Sequence, residues 1–133
     1  MCSYCGCRSI TVIARFSAEH DEIVNAAGDL RRAITSGAAL SVPGAAYSLT
    51  ELLERHTRDE ERTLFAEMAE DPEFSEHIAH LCGEHREIEA QLARLGTGDV
   101  AAVHRLNDLL RDHIDKEENG LFPAAAIALD GAT

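Results

Sequence analysis

One stretch of the chain occurs twice, and this repeat limits the folds open to it. Residues 52–65 read Leu52-Leu53-x-x-His56-x-x-x-Glu60-Glu61-x-x-Leu64-Phe65, and residues 109–122 carry the same residue types at the same offsets. A second repeat precedes each copy, as Glu19-His20-x-Glu22-Ile23 and as Glu84-His85-x-Glu87-Ile88. The chain therefore contains two copies of one unit, each with a lone histidine followed by a His-x-x-x-Glu motif.

Apolar residues recur at three- and four-residue steps, which is the period of an amphipathic α-helix. The pattern predicts four helices. The first runs from about Ile10 to Ser36-Gly37, and the second is capped by Ser48 or Thr50 and ends near Ala69. The third runs from Asp71-Pro72 to Gly96, and the fourth is capped by Asp99 and fades at Asn119-Gly120. Pro123 and the Ala-rich tail are expected to form a short C-terminal turn or helix.

No segment shows the alternating pattern of a strand, and the helices are joined by short connections. The sequence therefore predicts an all-α fold, an antiparallel up-down four-helix bundle built from two pseudo-symmetric helix pairs. We divide the chain into a Cys-rich N-terminal tip at residues 1–9 and the bundle at residues 10–130.

The composition restricts the partners. The 133 residues suffice for one domain, and 24 acidic against 12 basic residues give a formal net charge of −12. A chain of this charge lacks the basic face that nucleic acids and anionic membranes require. No apolar run approaches the roughly 18 residues of a membrane span, and the first residues lack a signal-peptide core. We therefore expect a soluble, cytoplasmic protein with neither a nucleic-acid nor a membrane partner.

Helical geometry directs seven polar side chains toward the predicted core. At about 100° per residue, Leu49 and Leu52 flank His56 within about 40°, so this histidine lies inside the apolar stripe. By contrast, Glu61 and Glu118 rotate to about 140° and are expected to face water. The core-facing set is His20, His56, Glu60, His85, Glu89, His113 and Glu117.

Such a set needs a positive charge. An ionised carboxylate buried without a partner has a desolvation penalty of several kcal/mol, and few Lys or Arg side chains share these stripes. Bound metal would supply the charge. One zinc ion would be saturated by four ligands, whereas seven nitrogen and oxygen ligands suit two first-row ions bridged by two carboxylates. Manganese or a mixed pair would satisfy the same ligands as iron.

The simpler alternative is that each histidine is an ordinary hydrogen-bonded core residue, which is common for a single position. Four histidines in register, two of them with a glutamate one turn later, favour the metal site. His77, His80 and His104 point away from the stripes and are expected at the surface. The chain lacks the Glu-x-x-His of ferritin-like di-iron proteins and the His-Glu-x-x-His of zinc proteases.

The order His, His-x-x-x-Glu, His, His-x-x-x-Glu, with Leu-Phe after each acidic motif, resembles the hemerythrin family in its HHE cation-binding form. The resemblance spans about His20 to Phe122. It implies two oxo- or hydroxo-bridged iron ions, with Glu60 and Glu117 bridging the pair. One iron would take His20 and His56, and the other would take His85, His113 and Glu89.

Two departures from the oxygen carriers of this family affect the expected chemistry. Those carriers have a histidine where this chain has Glu89, and a carboxylate there should stabilise the ferric state. They also place the final carboxylate five residues after its histidine, where this chain has Glu118, but the helical angle and the internal repeat favour Glu117. By resemblance, the iron with fewer ligands, at His20 and His56, would bind O2, NO or H2O2 end-on beside an apolar wall at Val24.

Three thiols crowd into the N-terminal tip as Cys2-x-x-Cys5-x-Cys7. This spacing is typical of metal ligands, so the tip could bind zinc or an iron–sulfur cluster with an outside ligand. It could equally act as a set of metal-free redox thiols. The tip resembles the Cys-rich extensions of actinobacterial-type hemerythrin-like proteins. Cys82 is interpreted as a small core residue.

The leading hypothesis is a non-haem di-iron protein that binds or reduces a small oxidant, with electrons from a donor that the sequence does not identify. Catalase- or peroxidase-like reduction of peroxide and reduction of NO both stay open. The alternative is an iron or oxygen sensor, or an iron-sequestering protein, without turnover. A third hypothesis is a metal-free bundle whose activity resides in the thiol tip.

Overall fold

The computed structural model of the chain describes residues 7–96 and 99–130, with side chains from residue 11 to residue 129 outside that gap. Four long helices account for most of these residues. Helix α1 spans Cys7–Thr35, α2 begins with Val42–Glu60, α3 spans Pro72–Gly96 and α4 begins with Ala102–Lys116. Helix α2 continues through a π-helical turn at Glu61–Phe65 into Ala66–Ala69, and α4 continues through one at Glu117–Leu121 into Phe122–Asp130. The predicted all-α four-helix bundle is confirmed.

The connections follow the turn signals in the sequence. After α1, Gly37 adopts φ 77°, and the Ala38 N–H donates to the Ala33 carbonyl at 2.9 Å, a Schellman-type end that favours glycine. At the start of α3, the Asp71 carboxylate accepts from the Glu73 N–H at 2.9 Å, and Pro72 occupies the first turn. Short connections of this kind make neighbouring helices antiparallel.

Two predicted N-terminal caps are wrong. Helix α2 begins at Val42, because Pro43 fits the first helical turn. Thr50 therefore lies inside the helix, and its hydroxyl donates to the Ala46 carbonyl. Asp99 does not cap α4, because its carboxylate pairs with Arg105 at 3.2 Å instead.

Two predicted helix ends also differ from the structure. Helix α1 begins at Cys7, three residues earlier than the apolar pattern suggested. Helix α4 does not fade at Gly120 but runs on through its π-helical turn, so the expected C-terminal helix is continuous with it. Pro123 is tolerated there because it directly follows the π-helical turn, where the regular hydrogen-bond ladder is already interrupted.

Each helix packs against two neighbours, in the ring order α1, α2, α3, α4. Two apolar clusters fill the interior at different levels of the bundle. One cluster includes Phe16, Phe65, Leu81 and Phe122, and the other includes Ile23, Leu49, Ile88 and Leu106. Within the described part of the chain, no helix is both long enough and apolar enough to cross a membrane.

Candidate metal centre

Six of the seven predicted ligands meet between the two apolar clusters. The four histidines are only 2–4 % exposed and the two glutamates are 0 % exposed. Helices α1 and α3 each contribute one histidine to this layer, and α2 and α4 each contribute a histidine and a glutamate one turn apart. The six residues are His20, His56, Glu60, His85, His113 and Glu117.

The six side chains form two overlapping groups of four possible metal ligands. These are the groups of possible metal ligands found among the described residues. One group is His20, His56, Glu60 and Glu117, and the other is His85, His113, Glu60 and Glu117. In each group the candidate ligand atoms lie within 4.8 Å of one another. Both glutamates belong to both groups, which is the arrangement that two carboxylate-bridged ions require.

Several of these buried atoms lack any hydrogen-bond partner in the described part of the chain. They are both carboxylate oxygens of Glu60 and of Glu117, together with Nε2 of His20 and of His56. Buried polar atoms are normally satisfied, because an unsatisfied one costs roughly 1–3 kcal/mol, and more when it is charged. These atoms face one another and carry lone pairs without a partner, which is typical of a metal site.

A second layer of four carboxylates holds the histidines. The Nδ1 atom of His56 lies 2.7 Å from Glu19, that of His113 2.7 Å from Glu84, that of His85 2.7 Å from Glu61, and that of His20 2.6 Å from Glu118. A carboxylate accepts hydrogen bonds, so each Nδ1 carries the proton and each Nε2 keeps a lone pair. This tautomer is the one that binds metal through Nε2.

The expectation that Glu61 and Glu118 face water is wrong. Both lie at the flank of the apolar stripe, and in the bundle that flank borders the neighbouring helix. Each side chain therefore reaches across to a histidine of the other repeat. The sequence did contain a signal for this layer, because Glu19 recurs as Glu84 and Glu61 recurs as Glu118.

The tautomers also place the lone pairs of two histidines against each other. The Nε2 atoms of His85 and His113 lie 3.0 Å apart. Since Nδ1 of each ring donates to its carboxylate, both Nε2 atoms present lone pairs to each other. Such a contact is repulsive unless a proton or a metal ion lies between the two nitrogens, and an ion held by this group of four would resolve it.

Surface groups hold the outer carboxylates in turn. Arg15 donates to Glu19 at 3.1 Å, Arg86 donates to Glu61 at 2.8 Å, and Lys116 donates to Glu84. Glu118 instead accepts from the Ser17 hydroxyl at 2.9 Å. Three of the four outer carboxylates are thus held by a cation as well as by a histidine.

Aromatic rings close one side of the centre. Phe65 stacks on His85 at 5.3 Å between centroids with 4° between the planes, and Phe122 stacks on His20 at 5.6 Å with 9°. Phe16 packs edge-on against His56. The Leu-Phe pair after each acidic motif therefore has a structural role, because each phenylalanine fixes the lone histidine of the other repeat.

The opposite side of the centre contains a void of about 10 Å³. Its lining consists of the four histidines together with Ile23, Leu53, Thr57, Ile88, Leu110 and Ile114. A void of this size holds about one water molecule. Val24 was expected to wall the open iron position, but it is 53 % exposed and lines an outer groove between α1 and α4 instead.

The ionisable groups perturb one another strongly. Burial and repulsion from Glu117 raise the pKa of Glu60 well above its usual value. Burial alone would also raise the pKa of Glu117, but the nearby His113 and His20 imidazoles, whose Nε2 atoms lie 3.2 and 2.9 Å from its oxygens, lower it overall. The Glu60 proton and a metal ion would compete for the same oxygens, so metal binding should release protons.

The four histidines fall into two pairs by the direction of their pKa shifts. Burial lowers the pKa of His20 and of His113, but the glutamates around them reverse this effect and leave both pKa values raised. The pKa values of His56 and His85 stay lowered, first by burial and then by the neighbouring histidine.

Glu89 lies outside both groups. Its side chain is 50 % exposed and accepts from Arg86 at 3.1 Å. Arg86 also pairs with Glu61, so it anchors Glu89 at the surface of α3 rather than near His85. Without Glu89, each ion would have two histidines and two shared carboxylates, so the two positions are equivalent in ligand number.

The remaining candidates lie away from the centre. Cys2 and Cys5 fall outside the described residues, as does the side chain of Cys7, which begins α1. Cys82 is half-buried and packs against the Phe-rich apolar cluster, and burial raises the pKa of its thiol. The histidines expected at the surface belong to neither group: His80 and His104 are exposed and His77 is half-buried.

Fold and site together define a helical-bundle protein with a histidine and carboxylate metal centre. The model of the hemerythrin HHE cation-binding domain matches residues 11–125, and the chain therefore belongs to that family. This membership implies a metal-binding protein, and iron is the usual metal of the domain. Comparison with curated proteins and with solved structures finds no match.

Proposed function

We propose that this protein holds two iron ions, one in each four-residue group, and uses them to bind or reduce O2, NO or H2O2. The observation that carries the proposal is that Glu60 and Glu117 are shared by both groups, with all four of their oxygens buried and unpaired. Two cations would neutralise these carboxylates and occupy the space that the opposed Nε2 lone pairs leave between them.

A pair of ferrous ions can supply two electrons, one from each ion. Reduction of H2O2 to two waters consumes these two electrons and two protons. Further turnover needs either a donor that returns the electrons or, in a catalase-like reaction, a second H2O2 that is oxidised to O2 and returns two electrons and two protons. The protein's own part is to orient four imidazoles through Glu19, Glu61, Glu84 and Glu118, and to keep bulk water away.

The shape of the site favours a small oxidant. Phenylalanines close one side, and the opposite void holds about one water-sized molecule. The void has room for one oxygen or nitrogen atom of a diatomic or a peroxide, and it excludes larger substrates. This observation is the reason to prefer oxidant binding over the alternative of an iron store, which needs space for more metal.

Metal content is the first test. We expect about two irons per chain in the wild type and in His104→Ala, and clearly fewer in His113→Ala. The two substituted histidines share α4, but His104 is exposed and His113 is a candidate ligand, so the pair is a matched control. A wild-type protein that stays folded with no metal after reconstitution with ferrous iron would refute the proposal.

Stopped-flow addition of H2O2 to the reduced iron-loaded protein is the second test. Sustained peroxide consumption or oxygen release supports an enzyme. A single stoichiometric oxidation supports a sensor or carrier, and peroxide consumption that survives His113→Ala would point to the thiol tip.

A further inference from the structure

One hydroxyl lines the void beside the metal centre. Apart from the four histidines, the described residues around the void are aliphatic except Thr57. Thr57 directly follows His56 on α2 and is 8 % exposed. In the other repeat the equivalent position, after His113, is Ile114. The two sides of an otherwise pseudo-symmetric site therefore differ in polarity.

The grooves leading to these two positions differ in the residues at which they meet the void. The groove between α2 and α3, of about 440 Å³, contains Thr57 and reaches His85, and its other polar walls are Thr50, Glu54 and Glu89. The groove between α1 and α4, of about 360 Å³, meets the void at Leu110 and Ile114 and contains no histidine. Both grooves have polar residues along their walls, but only the groove on the Thr57 side reaches the void at a hydroxyl-bearing residue and a histidine.

The Thr57 hydroxyl is free to bind a ligand. Threonines inside helices usually donate to the carbonyl one turn back. On α2, Thr50 donates to Ala46 at 2.8 Å and Thr63 donates to Asp59 at 2.7 Å. Thr57 makes no such side-chain hydrogen bond with any residue whose side chain or backbone the structure describes. The Thr57 hydroxyl therefore keeps both its donor and its acceptor capacity for a ligand in the void.

We propose that Thr57 is the substrate-binding residue that makes this centre a peroxide site, by hydrogen bonding one oxygen of H2O2 in the void. Its hydroxyl can donate to one peroxide oxygen or accept from one peroxide O–H, whereas O2 is a much weaker hydrogen-bond acceptor. The inference rests on the proposed function, since it concerns the same centre, and it favours H2O2 over O2 as the oxidant.

The test compares three variants at buried or half-buried positions of α2. Thr57→Val removes the hydroxyl at nearly constant shape, and Thr57→Ser keeps the hydroxyl. Thr50→Val is the matched control, because that hydroxyl lies in the same groove but already donates to a carbonyl. Circular dichroism and iron content should be unchanged in all three.

Reaction rates of the reduced protein with H2O2 and with O2 are then measured by stopped flow. For Thr57→Val we expect the H2O2 rate to fall about 3- to 10-fold, the effect of one hydrogen bond, with the O2 rate changed less than about twofold. A second readout, independent of turnover, is optical titration of the oxidised protein with azide, whose Kd should rise by a similar factor. Thr57→Ser and Thr50→Val should resemble the wild type.

Equal H2O2 rates in Thr57→Val and the wild type would overturn the inference, as would a Thr57→Ser variant as slow as Thr57→Val. A fall in both rates by the same factor would also overturn it, since selectivity for peroxide would be absent. These failures differ from failure of the proposed function, in which the wild type itself would take up no iron or would not react with any of the oxidants.

Discussion

Replacement of Glu60 by glutamine should have opposite effects on the metal-free and the metal-bound protein. Without metal, Glu60 and Glu117 place two fully buried carboxylates next to each other, and neither has a hydrogen-bond partner in the described structure. Glu60→Gln removes one of the two charges while keeping the shape of the side chain. With metal, the same change removes a bridging carboxylate that both ions would share.

The magnitudes follow from the burial. An unsatisfied buried group costs roughly 1–3 kcal/mol, and more if charged, so metal-free Glu60→Gln should be more stable than the metal-free wild type by about 2 kcal/mol at pH 7. For the wild type, each ion at 100 times its Kd adds about 2.7 kcal/mol, or about 5 kcal/mol for two. In a chain of this size 1 kcal/mol corresponds to about 3–5 °C in Tm.

The stability of the metal-free protein should also depend on pH because of Glu60. Because burial and Glu117 hold the folded pKa of Glu60 above its usual value of 4.5, its contribution to stability is complete below pH 4.5. This contribution is lost as the pH rises through the raised pKa. The raised pKa values of His20 and His113 and the lowered ones of His56 and His85 oppose one another. The metal-free wild type should therefore lose stability above pH 4.5, and Glu60→Gln should lose less.

Thermal unfolding followed by circular dichroism, with and without ferrous iron under anaerobic conditions, measures all of these effects. The wild type should gain roughly 15–25 °C from metal, and Glu60→Gln should gain at most half of that. Glu89→Gln is the control, because that carboxylate is exposed and outside both groups, so both its Tm values should match the wild type. A metal-free Glu60→Gln protein less stable than the wild type, yet still binding two ions, would refute the reasoning.

Three further predictions concern the surroundings of the centre. In Glu61→Ala, His85 loses the acceptor of its Nδ1 proton, so the metal affinity should fall about 10- to 100-fold. Chelator competition measures this affinity. An unchanged affinity would show that Glu61 does not orient the ring. Because the pKa values of His20 and His113 are raised, protons on these rings compete with metal. The metal affinity should therefore fall as the pH drops from about 7.5 to 6. An indicator dye in weak buffer should detect the protons that metal binding releases. Phe122→Ala should cost about 3–5 kcal/mol in urea unfolding, since the ring is buried against His20, and a loss under about 1 kcal/mol would contradict that packing role.

Periodicity and the internal repeat were sufficient to identify the helices and the six residues that converge. His56 and Glu60 lie one turn apart, and so do His113 and Glu117, so their shared face follows from the geometry of a single helix. The repeat then indicates that the two halves are equivalent. These inferences need no knowledge of how the helices pack.

The outer carboxylates, the fate of Glu89 and the side on which the centre opens depend on contacts between helices. Glu61 was expected in water because one helix alone points it there, but the neighbouring helix brings His85 within reach. Glu89 has a suitable helical angle, yet Arg86 holds it at the surface. The sequence alone thus determined which residues could serve a metal centre, because side-chain direction along a helix is a local property. Only the tertiary structure decided which of them meet, because a long side chain can bond to whichever neighbour the packing brings close.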